Sequence, residues 1–260
     1  MSTSYGTEGT FRLGQAFSQS FSVFGRHFVA FVVLTVLANI PNYVFQWGFA
    51  PTPVAPGALP EVNPWALLAL PVGMICSMIA TGTITYGVVQ DLRDVPVSIG
   101  EAIAIAARRV LPMIGVALAF GILWVLGLIL LVVPGFIVAC MYFVAAPVCI
   151  VEREGVGGSL RRSRFLTKGH RWKIFGAFLL ILVPGLIVVG VIAAGVFGAG
   201  FSIDPGGAPM LQNVGAATVA QDAVAAVFGA FYAVLVAVFY YHLRVAKEGV
   251  DIAKIASVFD

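Results

Sequence analysis

The sequence predicts an all-α integral membrane protein, a polytopic bundle of six transmembrane helices. Three observations support this prediction. The chain is 60% hydrophobic and only 10% charged, whereas soluble domains carry about 25% charged residues. Long uncharged apolar runs alternate with short polar segments. The 15 Lys and Arg residues fall in four blocks only, at 12–26, 93–109, 153–173 and 244–254.

The densest basic block sets the predicted orientation. Residues 151–173 hold seven of the 15 cations and lie between two apolar runs. Basic segments that flank membrane helices are favoured on the cytoplasmic side. With this block inside, every cation lies on one face of the membrane, and Glu61, Asp204 and Asp222 lie on the other. The sequence therefore predicts a multi-pass membrane protein with both termini in the cytoplasm.

The N-terminal segment predicts a helix that lies in the membrane interface. Its apolar residues recur at the spacing of one helical face, and Gln and Ser residues occupy the other face. Such a helix can place its apolar face at the acyl boundary, and packing on the bundle is the alternative. The apolar face consists of Leu13, Phe17, Phe21, Phe24 and Phe28.

Two spans follow, at 27–50 and 65–90, and each is long enough to cross a core of about 30 Å. Pro41 should kink the first span in its outer half. Residues 51–64 are rich in proline and hold no cation, so they are predicted to form an outer loop. Helical threonines of the second span should bond to their own backbone.

A second interfacial helix is predicted to begin at Ser98-x-x-Glu101, which is a capping box. It is predicted to end at Arg108-Arg109. It precedes the uncharged run 110–151, which has twice the length of one span.

The run 110–151 should form two spans joined by a turn at Pro134-Gly135. A single crossing would place the main basic block outside. The second of these spans, 135–151, is short, and Pro147 should shorten its helix further.

A third interfacial helix is predicted at 155–169, with Leu160 and Phe165 as its apolar contacts. An anchor of Arg171, Trp172 and Lys173 follows it.

The fifth span is predicted at 174–200, an outer loop at 202–222, and the sixth span at 223–241. Small residues line one side of the sixth span, and such a stripe permits close helix packing within the chain or in a homo-oligomer. The stripe consists of Ala226, Gly229, Ala230, Ala233 and Ala237.

The order of interfacial helix, basic exit and two spans occurs three times. The repeats are parallel, because each one starts and ends in the cytoplasm. The sequence thus predicts a single membrane domain over 1–260. Its units cover roughly 11–90, 97–152 and 155–243, and a cytoplasmic tail covers 244–260.

Three motifs carry a family resemblance. They are P-G-F-I-V-A at 134–139, A-P-V-C-I-V-E at 146–152 and S-L-R-R-S-R-F-L-T-K-G-H-R-W at 159–172. The chain resembles the membrane domain fused to some glycerophosphoryl diester phosphodiesterases, and YciC-like uncharacterised bacterial inner-membrane proteins. The resemblance implies a six-helix membrane domain. It implies no phosphodiesterase activity, which in the fused relatives belongs to a separate soluble barrel domain.

The basic block supplies the candidate site. One interpretation is charge that sets topology and contacts anionic headgroups, and the other is a specific phosphate pocket, since Arg binds phosphate bidentately. Glu152 is predicted to form an interface ion pair with Arg161 or Arg162. The candidate lipid or phosphate contacts are Arg161, Arg162, Arg164, Lys168, Arg171 and Lys173.

The predicted spans contain no ionisable side chain at depth, although such groups usually mark catalytic or proton-coupled sites. We therefore expect no enzyme, no catalytic residue, no cofactor and no nucleic-acid partner. His27, His170 and His242 lie near the cytoplasmic interface, and interface placement is favoured over metal binding.

Two functions remain from the sequence. The first is a non-enzymatic protein that interacts with membrane lipids or organises the membrane through its basic cytoplasmic face. The alternative is a permease or channel for a small or lipidic solute, since kinked spans often border transport sites. A polar cavity that reaches the midplane would favour the alternative.

Overall fold

The computed structural model describes residues 12–48, 68–96, 98–203, 209–211 and 214–248. Predictions that concern Glu61, Asp204 or the tail beyond 248 lie outside these residues. The described part is almost entirely helical, and it contains six segments that are long and apolar enough to cross a membrane. Its helices are α1 (Leu13–Arg26), α2 (Phe28–Gly48), α3 (Ala69–Asp91), α4 (Ile99–Leu130), α5 (Val132–Met141), α6 (Ala145–Val151), α7 (Val156–Thr167), α8 (Arg171–Gly200) and α9 (Val214–Glu248).

Helix α9 lies at the centre of the packing and contacts α1, α2, α3, α6, α7 and α8. Every residue from Ala233 to Tyr240 is buried. Four of the five small residues of the predicted stripe are buried inside this one chain, and Gly229 is exposed. The stripe therefore serves packing within the chain, and an oligomer would have to use another face.

Helix α1 packs its phenylalanines on α9. The ring centroids of Phe17 and Phe239 lie 5.5 Å apart, and those of Phe24 and Phe231 lie 5.3 Å apart. Phe21 remains 61% exposed. The face assigned to the acyl boundary is thus largely a protein contact. Placement of α1 in the interface stays a prediction.

Helix α4 corrects the prediction of a separate second interfacial helix. Ser98 does cap its N-terminus, since Oγ accepts a hydrogen bond from the Glu101 N–H at 3.2 Å. The helix then continues through Arg108-Arg109 and Pro112 to Leu130. The helix stays unbroken because the residues before and after Pro112 bury the same face of it. That face consists of Ala102, Ala106, Met113 and Val116.

The turn after α4 lies three residues earlier than predicted. Leu131 is extended, with φ −174° and ψ 153°, and Pro134 is the third residue of α5. Proline is tolerated there because the first N–H groups of a helix have no intrahelical acceptor. The glycines serve a close approach instead. A methyl group on Gly127 would lie 2.9 Å from the Cα of Gly135.

The fourth span is interrupted between α5 and α6. Residues 142–144 form a turn in which the Ala145 N–H donates to the Tyr142 carbonyl at 3.0 Å. Pro147 contributes to the break, because it has no N–H to offer the carbonyl four residues earlier. The shortening predicted from Pro147 is therefore a complete interruption of the helix.

The predicted loop at 202–222 is only partly a loop. Strands β1 (Phe201–Ile203) and β2 (Pro209–Leu211) pair antiparallel, and α9 begins at Val214. Asp222 is therefore helical and does not lie in a loop. The stretch from 214 contains no proline, and a helix satisfies its own backbone, so it extends beyond the apolar residues of the span.

The element order fits the three predicted units only in outline. A short helix precedes two spans at the start and again at α7, but in the middle it is continuous with α4. The internal repeat stays a prediction.

Candidate functional site

Helix α7 carries most of the candidate residues and is fixed to the broken span. The Ser163 hydroxyl donates to the Met141 carbonyl at 3.0 Å, and the Thr167 hydroxyl shares its proton between the same oxygen, at 3.1 Å, and the Ser163 carbonyl, at 3.0 Å. Met141 is the last residue of α5, so no backbone N–H of that helix donates to its carbonyl. Ser159 and Leu166 are also fully buried. The Ser/Thr face of α7 therefore points inward.

The opposite face of α7 is cationic. Arg161, Arg164 and Lys168 recur at intervals of three and four residues, which is the spacing of one helical face, and all three are exposed. Phe165 lies on this face and is 49% exposed. Of the two predicted apolar contacts of this helix, Phe165 therefore lies on the outward face. Leu160, by contrast, is partly buried against the core. We call Arg161, Arg164, Phe165 and Lys168 the outward stripe.

Phe165 stays beside cations because its ring face attracts positive charge. The Arg162 guanidinium carbon lies 5.7 Å from the ring centroid, and the Lys247 ammonium lies 5.9 Å from it.

Arg162 does not belong to the outward stripe. Its Nε donates to Glu152 Oε2 at 2.7 Å, and a second guanidinium nitrogen donates to Glu248. Arg244 Nε also donates to Glu248, at 3.0 Å, and the Tyr240 hydroxyl donates to Glu152 Oε1 at 2.8 Å. Of the two partners left open for Glu152, the structure places Arg162 against it. We call these five side chains the carboxylate network.

The carboxylate network joins the end of α6 to α7 and α9. Burial acts to lower the pKa of the Arg162 guanidinium, but its hydrogen bonds to Glu152 and Glu248 outweigh this effect and raise the pKa. The guanidinium is thus permanently charged and committed to two carboxylates. It joins the helices structurally, and two of its donors are occupied by these carboxylates.

The chain turns from α7 into α8 at Gly169, whose φ of +89° suits glycine. Trp172 follows and is 86% exposed. Lys173 is exposed as well, while Arg171 is half-buried. Burial, together with the nearby Lys173 and Lys247, lowers the pKa of His170. The six candidate cations therefore divide into four that are exposed and two, Arg162 and Arg171, that are half-buried.

A polar cavity of about 230 Å³ lies between α2, α3 and α9, far from α7. Asp222 lies in its wall, 26 residues before Glu248 in the same helix, which is ~39 Å by the helical rise. Asn39 follows Phe28 by 11 residues, so it is ~16 Å from the start of α2 and near the middle of a core of about 30 Å. The lining residues are Thr35, Asn39, Asn42, Tyr43, Ser77, Ala80, Thr81, Ile84, Asp222, Ala225, Ala226 and Gly229.

None of the sequence patterns used above predicted this cavity. Thr35, Asn39, Asn42 and Tyr43 are spaced by four, three and one residues, so they form a polar stripe on an otherwise apolar helix. That stripe was the signal that could have revealed the cavity. The contribution of Asp222 was hidden because its position was assigned to a loop.

Several hydroxyl and amide donors of the cavity wall are already used locally. Thr35 Oγ1 donates to the Phe31 carbonyl at 2.8 Å, and Asn39 Nδ2 donates to the Thr35 carbonyl at 2.8 Å. Ser77 Oγ donates to the Met74 carbonyl at 2.9 Å. The oxygens of these three side chains keep their capacity to accept hydrogen bonds.

The histidines lie apart from one another. His27 Nε2 is 3.9 Å from Asp91, and His242 Nε2 is 2.6 Å from Gln19 Oε1. Within the residues that the structure describes, no three His, Cys, Asp or Glu side chains are grouped so as to hold a metal ion.

Comparison of the chain with protein-family models, with curated proteins and with solved structures gave no match. The family resemblance stated from the motifs stays a prediction.

Proposed function

We propose that this chain is a non-enzymatic membrane protein that binds anionic lipid headgroups at its cytoplasmic face. The observation that carries the proposal is the outward stripe of α7. Three exposed cations share a face with an exposed phenylalanine, and the opposite face of the helix is hydrogen-bonded to the bundle. The indole of Trp172 lies close by along the chain and is also exposed.

The chemistry of the outward stripe suits a lipid surface. Cations near an anionic leaflet contribute about 1 kcal/mol each, and exposed aromatic rings favour the headgroup level. Holding α7 in place by Ser163 and Thr167 lowers the entropy lost on binding, because the cations need not be ordered from a flexible loop. The proposal includes the predicted orientation, with α7 in the cytoplasm of a bacterial cell.

Lipid retention tests the proposal. Purified protein in nanodiscs of phosphatidylglycerol and phosphatidylcholine would be released and weighed by native mass spectrometry. The double variant Arg161→Gln/Arg164→Gln should lose about 2 kcal/mol, or ~30-fold, of phosphatidylglycerol preference. The matched control is Arg93→Gln/Arg108→Gln, which removes two exposed cations elsewhere.

The two double variants and inorganic phosphate distinguish the other possible outcomes. Equal loss in both double variants would show that only total charge matters, and unchanged retention in both would overturn the proposal. Competition by inorganic phosphate at millimolar concentration would indicate a phosphate pocket in place of a lipid surface.

One observation favours the alternative, a permease or channel for a small solute. The polar cavity reaches from Asp222 towards the middle of α2, and α2 contains Pro41. Uptake by proteoliposomes of a small solute that binds in the polar cavity tests this alternative.

A further inference from the structure

We infer that the polar cavity between α2, α3 and α9 is a binding site for a small monovalent cation, an organic ammonium or an alkali-metal ion. This inference deepens the permease alternative but rests on the cavity itself. If the cavity binds a cation but proteoliposomes take none up, the binding site stands and the permease function is excluded.

The hydrogen-bonding inventory of the wall is the first argument. The hydroxyls of Thr35 and Ser77 and one N–H of the Asn39 amide donate to backbone carbonyls, at 2.8, 2.9 and 2.8 Å. Each of these side chains therefore presents an oxygen that accepts. A ligand that only donates, or a metal ion, complements these oxygens.

Charge is the second argument. Among the lining residues that the structure describes, Asp222 is the one charged side chain, and none is Lys or Arg. A carboxylate has about four acceptor positions, so a neighbour in the protein leaves room for a ligand. The accepting oxygens of the wall and the negative charge of Asp222 thus both favour a cation.

The size of the cavity limits the ligand. A volume of about 230 Å³ compares with about 30 Å³ for one water molecule in the liquid. It therefore holds one compact organic ammonium, or an alkali ion with several waters.

Helix α3 approaches α2 closely at Asn42, one of the lining residues. A methyl group on Gly73 would lie 2.7 Å from Asn42 Oδ1. An alanine at this position must therefore turn the Asn42 amide, and because the amide is the free end of a side chain, the fold should tolerate the change. Gly73→Ala thus alters the cavity without removing charge.

Direct binding tests the inference. The purified full-length chain would be titrated with radiolabelled methylammonium and, separately, with radiolabelled sodium ion. We expect saturable binding of at least one of them, reduced at least tenfold by Asp222→Asn. The matched control is Asp94→Asn, which removes a carboxylate at an exposed turn where the backbone φ of 54° also suits asparagine; it should bind as the parent chain does.

The pattern of the two ligands identifies the cation. Binding of methylammonium alone indicates an organic ammonium site, and binding of sodium alone indicates a metal-ion site. If Asp222→Asn fails to fold, Asn39→Leu and Gly73→Ala carry the test, and each should weaken binding at least threefold. Absence of binding to both cations, or equal binding by the parent and the folded variants, would overturn the inference.

Discussion

At the scale of single residues, the hydroxyls of Ser163 and Thr167 have the clearest structural role. The Met141 carbonyl ends a helix inside a predicted span, where an unsatisfied backbone group costs several kcal/mol. Two side chains from α7 donate to that oxygen, at 3.0 and 3.1 Å. The break in the fourth span and the position of α7 therefore depend on each other.

We predict that Ser163→Ala/Thr167→Val lowers the free energy of unfolding by about 1–3 kcal/mol, because it leaves a buried acceptor unpaired. Each single variant should lose less than half of this, since the other hydroxyl remains. Thermal unfolding in detergent, followed by tryptophan fluorescence, measures the change.

Thr83→Val is the matched control. The Thr83 hydroxyl donates to the Ile79 carbonyl of its own helix at 2.7 Å, and that carbonyl keeps its helical partner. The control should change stability little. Additive single losses that sum to the double variant's loss would contradict the shared-acceptor arrangement.

His170 predicts a pH dependence of stability. Its pKa is lowered from 6.5 by burial and by Lys173 and Lys247, so the unfolded chain binds a proton more readily than the folded chain does. The free energy of unfolding should therefore fall as the pH drops through 6.5.

The variant His170→Gln should show a smaller loss of unfolding temperature between about pH 7.5 and about pH 5.5 than the parent chain. Differential scanning fluorimetry at both values measures it. The same loss in both proteins would mean that other groups carry the acid sensitivity.

At the scale of elements, the orientation of α7 decides which cations face outward. Its buried face consists of Ser159, Ser163, Leu166 and Thr167. Because the helix has 3.6 residues per turn, burying this face leaves Arg161, Arg164 and Lys168 on the far side. Arg162 lies between the two faces and reaches Glu152 and Glu248.

The close approach of α4 and α5 in their hairpin leads to a prediction at this scale. Gly127→Ala should lower the free energy of unfolding by about 1–3 kcal/mol, because its methyl group would lie 2.9 Å from the Cα of Gly135 and backbone must move. Gly121→Ala in the same helix is the control. No atom lies within 4 Å of its added methyl group.

The control should leave stability unchanged or raise it slightly, since alanine is the better helix former. Thermal unfolding of both variants in one detergent compares them. Equal behaviour of the two variants would show that the two glycines do not approach closely in the membrane.

At the scale of the whole molecule, α9 holds the bundle together. Its central residues are fully buried, and its two ends serve different sites. Asp222 lies at the polar cavity, and Glu248 and Arg244 lie in the carboxylate network. A single helix therefore connects both candidate sites, although ~39 Å separates them.

Labelling from outside the cell tests the predicted orientation. Cysteine probes replacing Glu61 and Asp204 should react with a membrane-impermeant maleimide in intact cells, and a probe replacing Arg161 should react only after permeabilisation. The native Cys76, Cys140 and Cys149 are buried and would be replaced by alanine as a background control. Reaction of the Arg161 probe in intact cells would overturn the six-span orientation and the lipid proposal with it.

The sequence by itself determined the membrane class, the six apolar segments and the concentration of cations. These properties depend on length and composition, because a span must be apolar over about 20 residues whatever it packs against. It also located the Ser98 cap and the basic helix within a few residues, since capping and helical periodicity are local.

Only the tertiary structure decided which of two adjacent arginines meets Glu152, that Phe165 faces outward, and that Asp222 joins a polar stripe of α2 around a cavity. Each of these depends on how helices distant in the sequence are rotated against one another. That rotation follows from packing and from the need to satisfy buried groups such as the Met141 carbonyl, and no local pattern encodes it.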